Sequence, residues 1–214
     1  MWARVESDTV TQTYTRPRAL TIGDVNYPAN IFSMWTSAEL NVLGIYEITF
    51  DKTNLKNKEY YTNTDQTFAF ASGTVTASYG TATAKPLADT LYTAQNVTDD
   101  VYPEGHASAG DRVNTWSEGD VKTPELKTKH KATINAQCAG VLQDTDWMII
   151  RAAEGGTAVP SATTTWRAAV RTKANAMCTA IDGAANVDAL AALYIYNDAT
   201  PPVRPLGAFP VLGA

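Results

Sequence analysis

The apolar residues of this chain change their spacing once, and that change restricts the fold to two differently built halves. From residue 2 to about residue 97 the repeat is mostly two, as in a pleated strand whose side chains alternate between faces. Trp2, Arg4 and Glu6 alternate with Ala3 and Val5; after the polar pair Ser7-Asp8 the pattern resumes as Val10, Gln12 and Tyr14, which predicts a hairpin. Pro17 then ends the second strand. Thr36 stands three residues before Glu39, the spacing of a capping box, and Gly44 stops the short helix that it starts. A strand follows with Tyr46, Ile48 and Phe50 on one face, and two more, 67–71 and 74–79, are joined at Ser72-Gly73. Their Thr and Ala side chains bury little area each, so these strands are expected to need a partner subunit or domain.

From residue 125 the repeat becomes three and four. Leu126, His130, Thr133, Ile134, Gln137, Cys138, Val141 and Leu142 form one stripe, with Lys127, Lys129 and Lys131 on other faces. Asp144-Thr145-Asp146 offers an N-cap to a helix carrying Trp147, Ile150, Arg151 and Glu154, which Gly155-Gly156 ends. Trp147, with Ile149 and Ile150 behind it, is expected to be a buried anchor. The longest helix covers 163–180, with Trp166, Val170, Ala174, Met177 and Ile181 on one side, and Asn186-Val187-Asp188 caps a last short helix. The fold class is therefore α+β: a β-rich N-terminal domain over 1–98, then a small C-terminal helical bundle over 125–200.

Residues 99–124 are rich in Asp, Glu, Gly and Ser and lack periodicity, so they are expected to be an extended connector. Within it Trp116 either tucks against its own domain or anchors another chain. Residues 201–214 are expected to be an extended tail, because Pro201, Pro202 and Pro205 break helices and ladders. Val203, Leu206, Phe209, Val211 and Leu212 make that tail a candidate interface element, the alternative being a disordered terminus.

A net charge of −5 without a basic stripe argues against nucleic acid as a partner. The longest apolar runs fall far short of the roughly 20 residues that span a bilayer, so no membrane span is expected of a chain read as soluble and made in a cytoplasm. Cys138 and Cys178 read as small buried hydrophobes, or as a disulfide if their helices pack antiparallel with the two residues facing. His106 and His130 have no Cys or carboxylate at ligand spacing, and Asp99, Asp100, Glu104, Asp111, Glu118 and Asp120 lack the Asp-x-Asp-x-Asp-Gly order of a calcium loop. Neither a metal nor another cofactor is expected. With no Gly-x-Ser-x-Gly, phosphate loop or dinucleotide fingerprint, the chain reads as a non-enzyme without catalytic residues.

The run Leu142, Thr145, Asp146, Trp147, Arg151, Glu154, Pro160, Arg167 and Arg171 resembles a helical module near the C-termini of tailed-bacteriophage tail-fibre proteins and tail-fibre assembly chaperones, and it covers about 30 of 214 residues. The run Trp2-Ala3-Arg4-Val5-Glu6, with Pro17-Arg18-Ala19-Leu20, Tyr27-Pro28-Ala29-Asn30-Ile31-Phe32 and Trp35, looks like the opening of small phage tail proteins carrying that module. The resemblance implies a structural virion protein of the tail, baseplate or fibre apparatus. Its partners would be other virion proteins and copies of itself, a trimer being common among fibre-type proteins, with a host surface receptor as a further partner. Two alternatives stand beside it: an assembly chaperone left out of the particle, and a carbohydrate-recognition protein using Tyr60, Tyr61, Tyr102 and Trp116. Within the module, Arg151 and Glu154 at three residues and Arg167 and Arg171 at four are read as braces of a two-helix hairpin, each worth a few tenths of a kcal/mol if exposed. Because the acidic residues read as solvated rather than metal-bound, chelator treatment should leave the melting temperature unchanged. A large drop on chelation, which would link stability to free ion concentration, would contradict this.

Overall fold

Ser7 and Asp8 both take positive φ, 50° and 60°, the conformation of the two-residue turn whose twist matches paired strands. They join β1 (Trp2–Glu6) to β2 (Thr9–Tyr14) in an antiparallel hairpin. The register shifts between Arg4 and Val5, so Thr11 is an extra residue and β2 bulges there. One inserted residue reverses the pleat. Val10 therefore pairs with Val5 and Tyr14 with Trp2, on opposite faces of the sheet, although plain alternation puts Val10 and Tyr14 together.

The chain, described over residues 1–102, 104 and 106–213 in this computed structural model, divides into two compact units, Met1–Ala84 and Lys85–Ala214. The break falls earlier than the expected one at 98. In the first unit, β3 (Leu20–Ile22) and β4 (Val25–Tyr27) form a small ribbon, and α1 (Ile31–Met34) and α2 (Ser37–Val42) follow. The expected capping box starts α2: Thr36 Oγ1 accepts from the Glu39 N–H while the Glu39 carboxylate accepts from the Thr36 N–H. Gly44, at φ +72°, carries the chain back into β5 (Ile45–Phe50); a Cβ there would sit 2.7 Å from the Val5 carbonyl oxygen, so only glycine fits. Beyond β6 (Tyr61–Thr62), the hairpin of β7 (Gln66–Ala71) and β8 (Thr74–Tyr79) turns at Ser72-Gly73 as expected, and β9 (Thr83–Ala84) pairs with β6.

The main sheet has the order β2-β1-β5-β8-β7, with β5 and β8 parallel and the other neighbours antiparallel. Its edge strands β2 and β7 approach each other, so the sheet curls. Inside the curl lie Ala3, Ile48, Val75 and Ala77, flanked by Val5, Val10, Tyr46, Phe68 and Phe70. The small residues of β8 are thus buried by β5 of the same unit, which corrects the expected need for a partner subunit. The other face carries Tyr14, Leu20, Ile31, Phe32, Leu40 and Ile45, with Phe32 packed 4.8 Å from the Trp2 ring and 5.8 Å from that of Tyr14.

In the second unit, β10 (Thr90–Leu91) pairs with β11 (Val121–Thr123), closing an arm that includes α3 (Ala94–Asp99). Val101 bridges to Arg112, and Asp100 pairs with Arg112 and accepts from Asn114. The stretch 99–124 is a closed arm rather than an open connector, although Pro103 and Gly105 lie outside the described residues. Two long helices form the rest of the framework, α4 (Leu126–Gln143) and α6 (Ser161–Asp182), with α5 (Asp146–Ala153) between them and α7 (Val187–Ala192) after. Lys131 pairs with Asp182 and Arg167 reaches the Leu142 carbonyl, so α4 and α6 run antiparallel. The buried residues of α4 step by four, Leu126, His130, Ile134 and Cys138, and those of α6 are Thr163, Val170, Ala174, Met177 and Ile181. Ala184, Val187, Leu190 and Leu206 are buried with them. Among the described residues no helix is long and apolar enough to cross a membrane.

The N-terminus of α4 is capped from outside its own segment. The Asp89 carboxylate accepts from the Glu125 N–H at 2.7 Å and from the Thr128 hydroxyl at 2.8 Å, and the Glu125 bond, then the Thr128 bond, hold its carboxyl below the usual carboxylate range. A lowered native pKa means a contribution fully present above the unfolded value of about 3.9 and lost as pH falls through the native one. Asp89→Ala should therefore flatten the fall in melting temperature as pH is lowered below about 4. An unchanged acid profile would contradict the cap.

Candidate interaction surface

Arg167 projects from α6 onto the link between α4 and α5. Its guanidinium donates to the Leu142 carbonyl at 2.9 Å and to the Thr145 hydroxyl, and pairs with Asp146 at 2.7 Å. A helix C-terminus leaves carbonyls without intrahelical partners and carries partial negative charge, so a cation there satisfies both needs. Thr145 is buried, and its hydroxyl donates to the Leu142 carbonyl at 2.9 Å. It holds the N-cap position of α5 but makes no side-chain capping bond, a departure from the expected cap. Four of the resembling residues, Leu142, Thr145, Asp146 and Arg167, are thus one internal node.

The helix that this node holds is open to solvent. None of the α5 residues is buried, and Trp147, Ile149 and Ile150 are 53%, 42% and 58% exposed. This overturns the expectation that Trp147 anchors the core. Met148 and Ala152 take the half-buried side, whereas Trp147 and Ile150, three apart, share another. The Arg151 guanidinium lies 4.8 Å from the Trp147 ring centre, a cation over the negative face of the indole, and its buried Nε has no hydrogen-bond partner. Of the expected braces Arg167 stands, through Asp146 and the Leu142 carbonyl; Arg151 stacks on Trp147, Glu154 ends α5 as its C-cap, and Arg171 is exposed without an ion pair among the described residues.

The tail folds back on its own unit. Leu206 is buried and donates its N–H to the Leu193 carbonyl at 3.0 Å, and the Pro210 carbonyl accepts from the Trp166 indole at 2.9 Å. Leu206 is therefore a core residue and not an interface residue; Phe209 is half-buried, and Val203, Val211 and Leu212 stay exposed. Beside Val203 opens a groove of about 460 Å³ bounded by Ala192, Ile195, Tyr196, Asn197, Arg204 and Pro205. Arg204 lies 5.6 Å from the rings of both Tyr194 and Tyr196, and the Tyr194 hydroxyl meets His130 Nδ1 at 2.8 Å. The signal of this group in the sequence is the run Tyr194-Ile195-Tyr196 just after the last helix.

The remaining candidates are scattered. Trp116 stacks on Tyr92 at 3.8 Å with Arg112 above it, which places it against its own unit. Of the other aromatics proposed to read carbohydrate, Tyr102 stacks on His106 in the second unit, and Tyr60, which is buried, belongs with Tyr61 to the first. Cys138 is buried and Cys178 half-buried, both as free thiols; burial pushes the Cys178 thiol up. Among the described residues no three His, Cys, Asp or Glu side chains gather as a metal set. Compared with protein-family models, curated proteins and solved structures, the chain matches none.

Two substitutions separate node from surface. Arg167→Ala should cost about 2–3 kcal/mol, because it strips a buried hydroxyl and a helix-end carbonyl of a charged donor, whereas Trp147→Ala should change stability by less than about 1 kcal/mol. Urea unfolding of both variants checks this, and the reverse order would contradict it.

Proposed function

We propose that this chain is a structural component of a tailed-phage virion, an attachment or adaptor piece of the tail, baseplate or fibre apparatus without catalytic activity. The observation that carries the reading is α5, a helix fixed through its first turn and offering Trp147, Ile149 and Ile150 to solvent. Apolar surface of that kind marks contact sites, and Trp and Arg are the residues that most often anchor them. The residues that resemble the phage module divide accordingly: Leu142, Thr145, Asp146 and Arg167 brace the link, and Trp147 with Arg151 faces outward. Other virion proteins and further copies of the chain are the proposed partners. Quantitative mass spectrometry of purified particles tests the assignment. Stoichiometric presence is expected; absence from particles, with the protein abundant in the lysate, would overturn it in favour of a tail-fibre assembly chaperone.

A further inference from the structure

The first unit contains a groove of different chemistry, polar and about 420 Å³ in volume, within the size range of small-ligand pockets. It lies where β2 bulges, and bulges recur beside binding sites because they re-aim side chains. The β1–β2 hairpin supplies Arg4, Glu6, Thr11 and Gln12; the β3–β4 ribbon supplies Thr21 and Ile22.

The hydrogen bonds already made inside this groove determine what it leaves open. Arg4 directs Nε and one terminal nitrogen to the same oxygen of Glu6, at 3.2 and 3.1 Å, and donates to the Leu43 carbonyl. Its charge is matched by Glu6, and Glu6 Oε2 remains an acceptor for an outside group. Gln12 Oε1 accepts from the Tyr14 hydroxyl at 3.0 Å, which orients the amide and leaves Nε2 as a donor. Thr21 Oγ1 spends its proton on Asn26 Oδ1 at 2.7 Å and retains acceptor capacity. Thr11 Oγ1 donates to the Arg4 carbonyl at 3.4 Å and likewise retains acceptor capacity, and half-buried Ile22 adds an apolar surface.

The residues that line the groove carry no net charge, Arg4 being matched by Glu6, and so present no unmatched charge to a phosphate, carboxylate or amine; Arg18, outside the lining, lies 5.9 Å from the ring of Tyr14. The groove also sets a carboxylate acceptor near an amide donor and two hydroxyls, with an aliphatic contact beside them. Adjacent hydroxyls on a carbon ring, each able to donate and accept, match that set. We propose that this groove binds a neutral saccharide of one or two rings. The inference rests on the first unit alone, so its failure would leave the reading of the helical unit in place.

Saturation-transfer NMR on the full chain tests it, with glucose, galactose, mannose, rhamnose, N-acetylglucosamine and lactose as neutral probes and glucuronate and glucosamine as charged ones. At least one neutral sugar should bind with a Kd on the order of millimolar and move the backbone amides of Glu6, Thr11, Gln12 and Thr21. The exposed pair Glu6→Gln and Gln12→Ala should weaken that binding by about ten-fold or more without changing the melting temperature. If the double variant is less stable, the amide map of the wild-type chain decides alone. Binding by none of the neutral sugars, equal binding of the charged ones, undiminished binding by a folded variant, or amide shifts elsewhere would each overturn the proposal.

Discussion

The helical unit depends on one guanidinium. Arg167 meets a helix-end carbonyl, a buried hydroxyl and a carboxylate between Leu142 in the last turn of α4 and Asp146 at the start of α5, so one side chain ends the first helix and positions the second. Fixing α5 through its first turn has a consequence for burial. The core of the unit is filled by α4, α6, α7 and Leu206, and α5 contributes nothing to it. Three large apolar side chains of one helix, Trp147, Ile149 and Ile150, are thereby presented instead of packed. The stability of the unit and its exposed surface are separated by design of the chain: the resembling residues that hold the fold are not those that face outward.

The first unit solves a different problem, two cores on the two faces of one sheet. Its curled face is narrow, and Ala3 and Ala77, both fully buried, let the strands close over Ile48 and Val75. Its other face packs Trp2 and Tyr14 against Phe32 of α1 and Leu40 of α2. The Thr11 bulge connects the two, because it lets a single strand send Val10 to one core and Tyr14 to the other.

Features set by near neighbours were legible in the sequence. The Thr36 capping box, the turns at Ser7-Asp8 and Ser72-Gly73, and the stripe of α6 each depend on residues at most four apart or on a regular repeat, and they stand as read; the stripe of α4 stands narrowed, with Thr133 and Gln137 exposed beside it. Features set across the chain were not. Asp89 caps a helix whose N-cap, Glu125, lies 36 residues later, and no local spacing shows it. Periodicity likewise says which residues share a face, not whether anything covers that face, which is why Trp147 read as core. The same limit applies to the tail, where apolar content predicted contact and could not assign Leu206 to its own unit and Val211 to solvent. The groove at the bulge was invisible for a further reason: Arg4, Gln12 and Thr21 are brought together by the register shift and the β3–β4 ribbon, neither of which the alternation of residues shows.

The central claim is that α5 is uncovered in the isolated chain and covered on assembly. Hydroxyl-radical footprinting read by mass spectrometry measures this directly at Trp147 and Met148, both oxidisable, in the free protein and in purified particles. The account predicts fast oxidation of Trp147 in the free chain and strong protection in the assembled one. Equal oxidation in both states, or protection already present in the isolated chain, would contradict it.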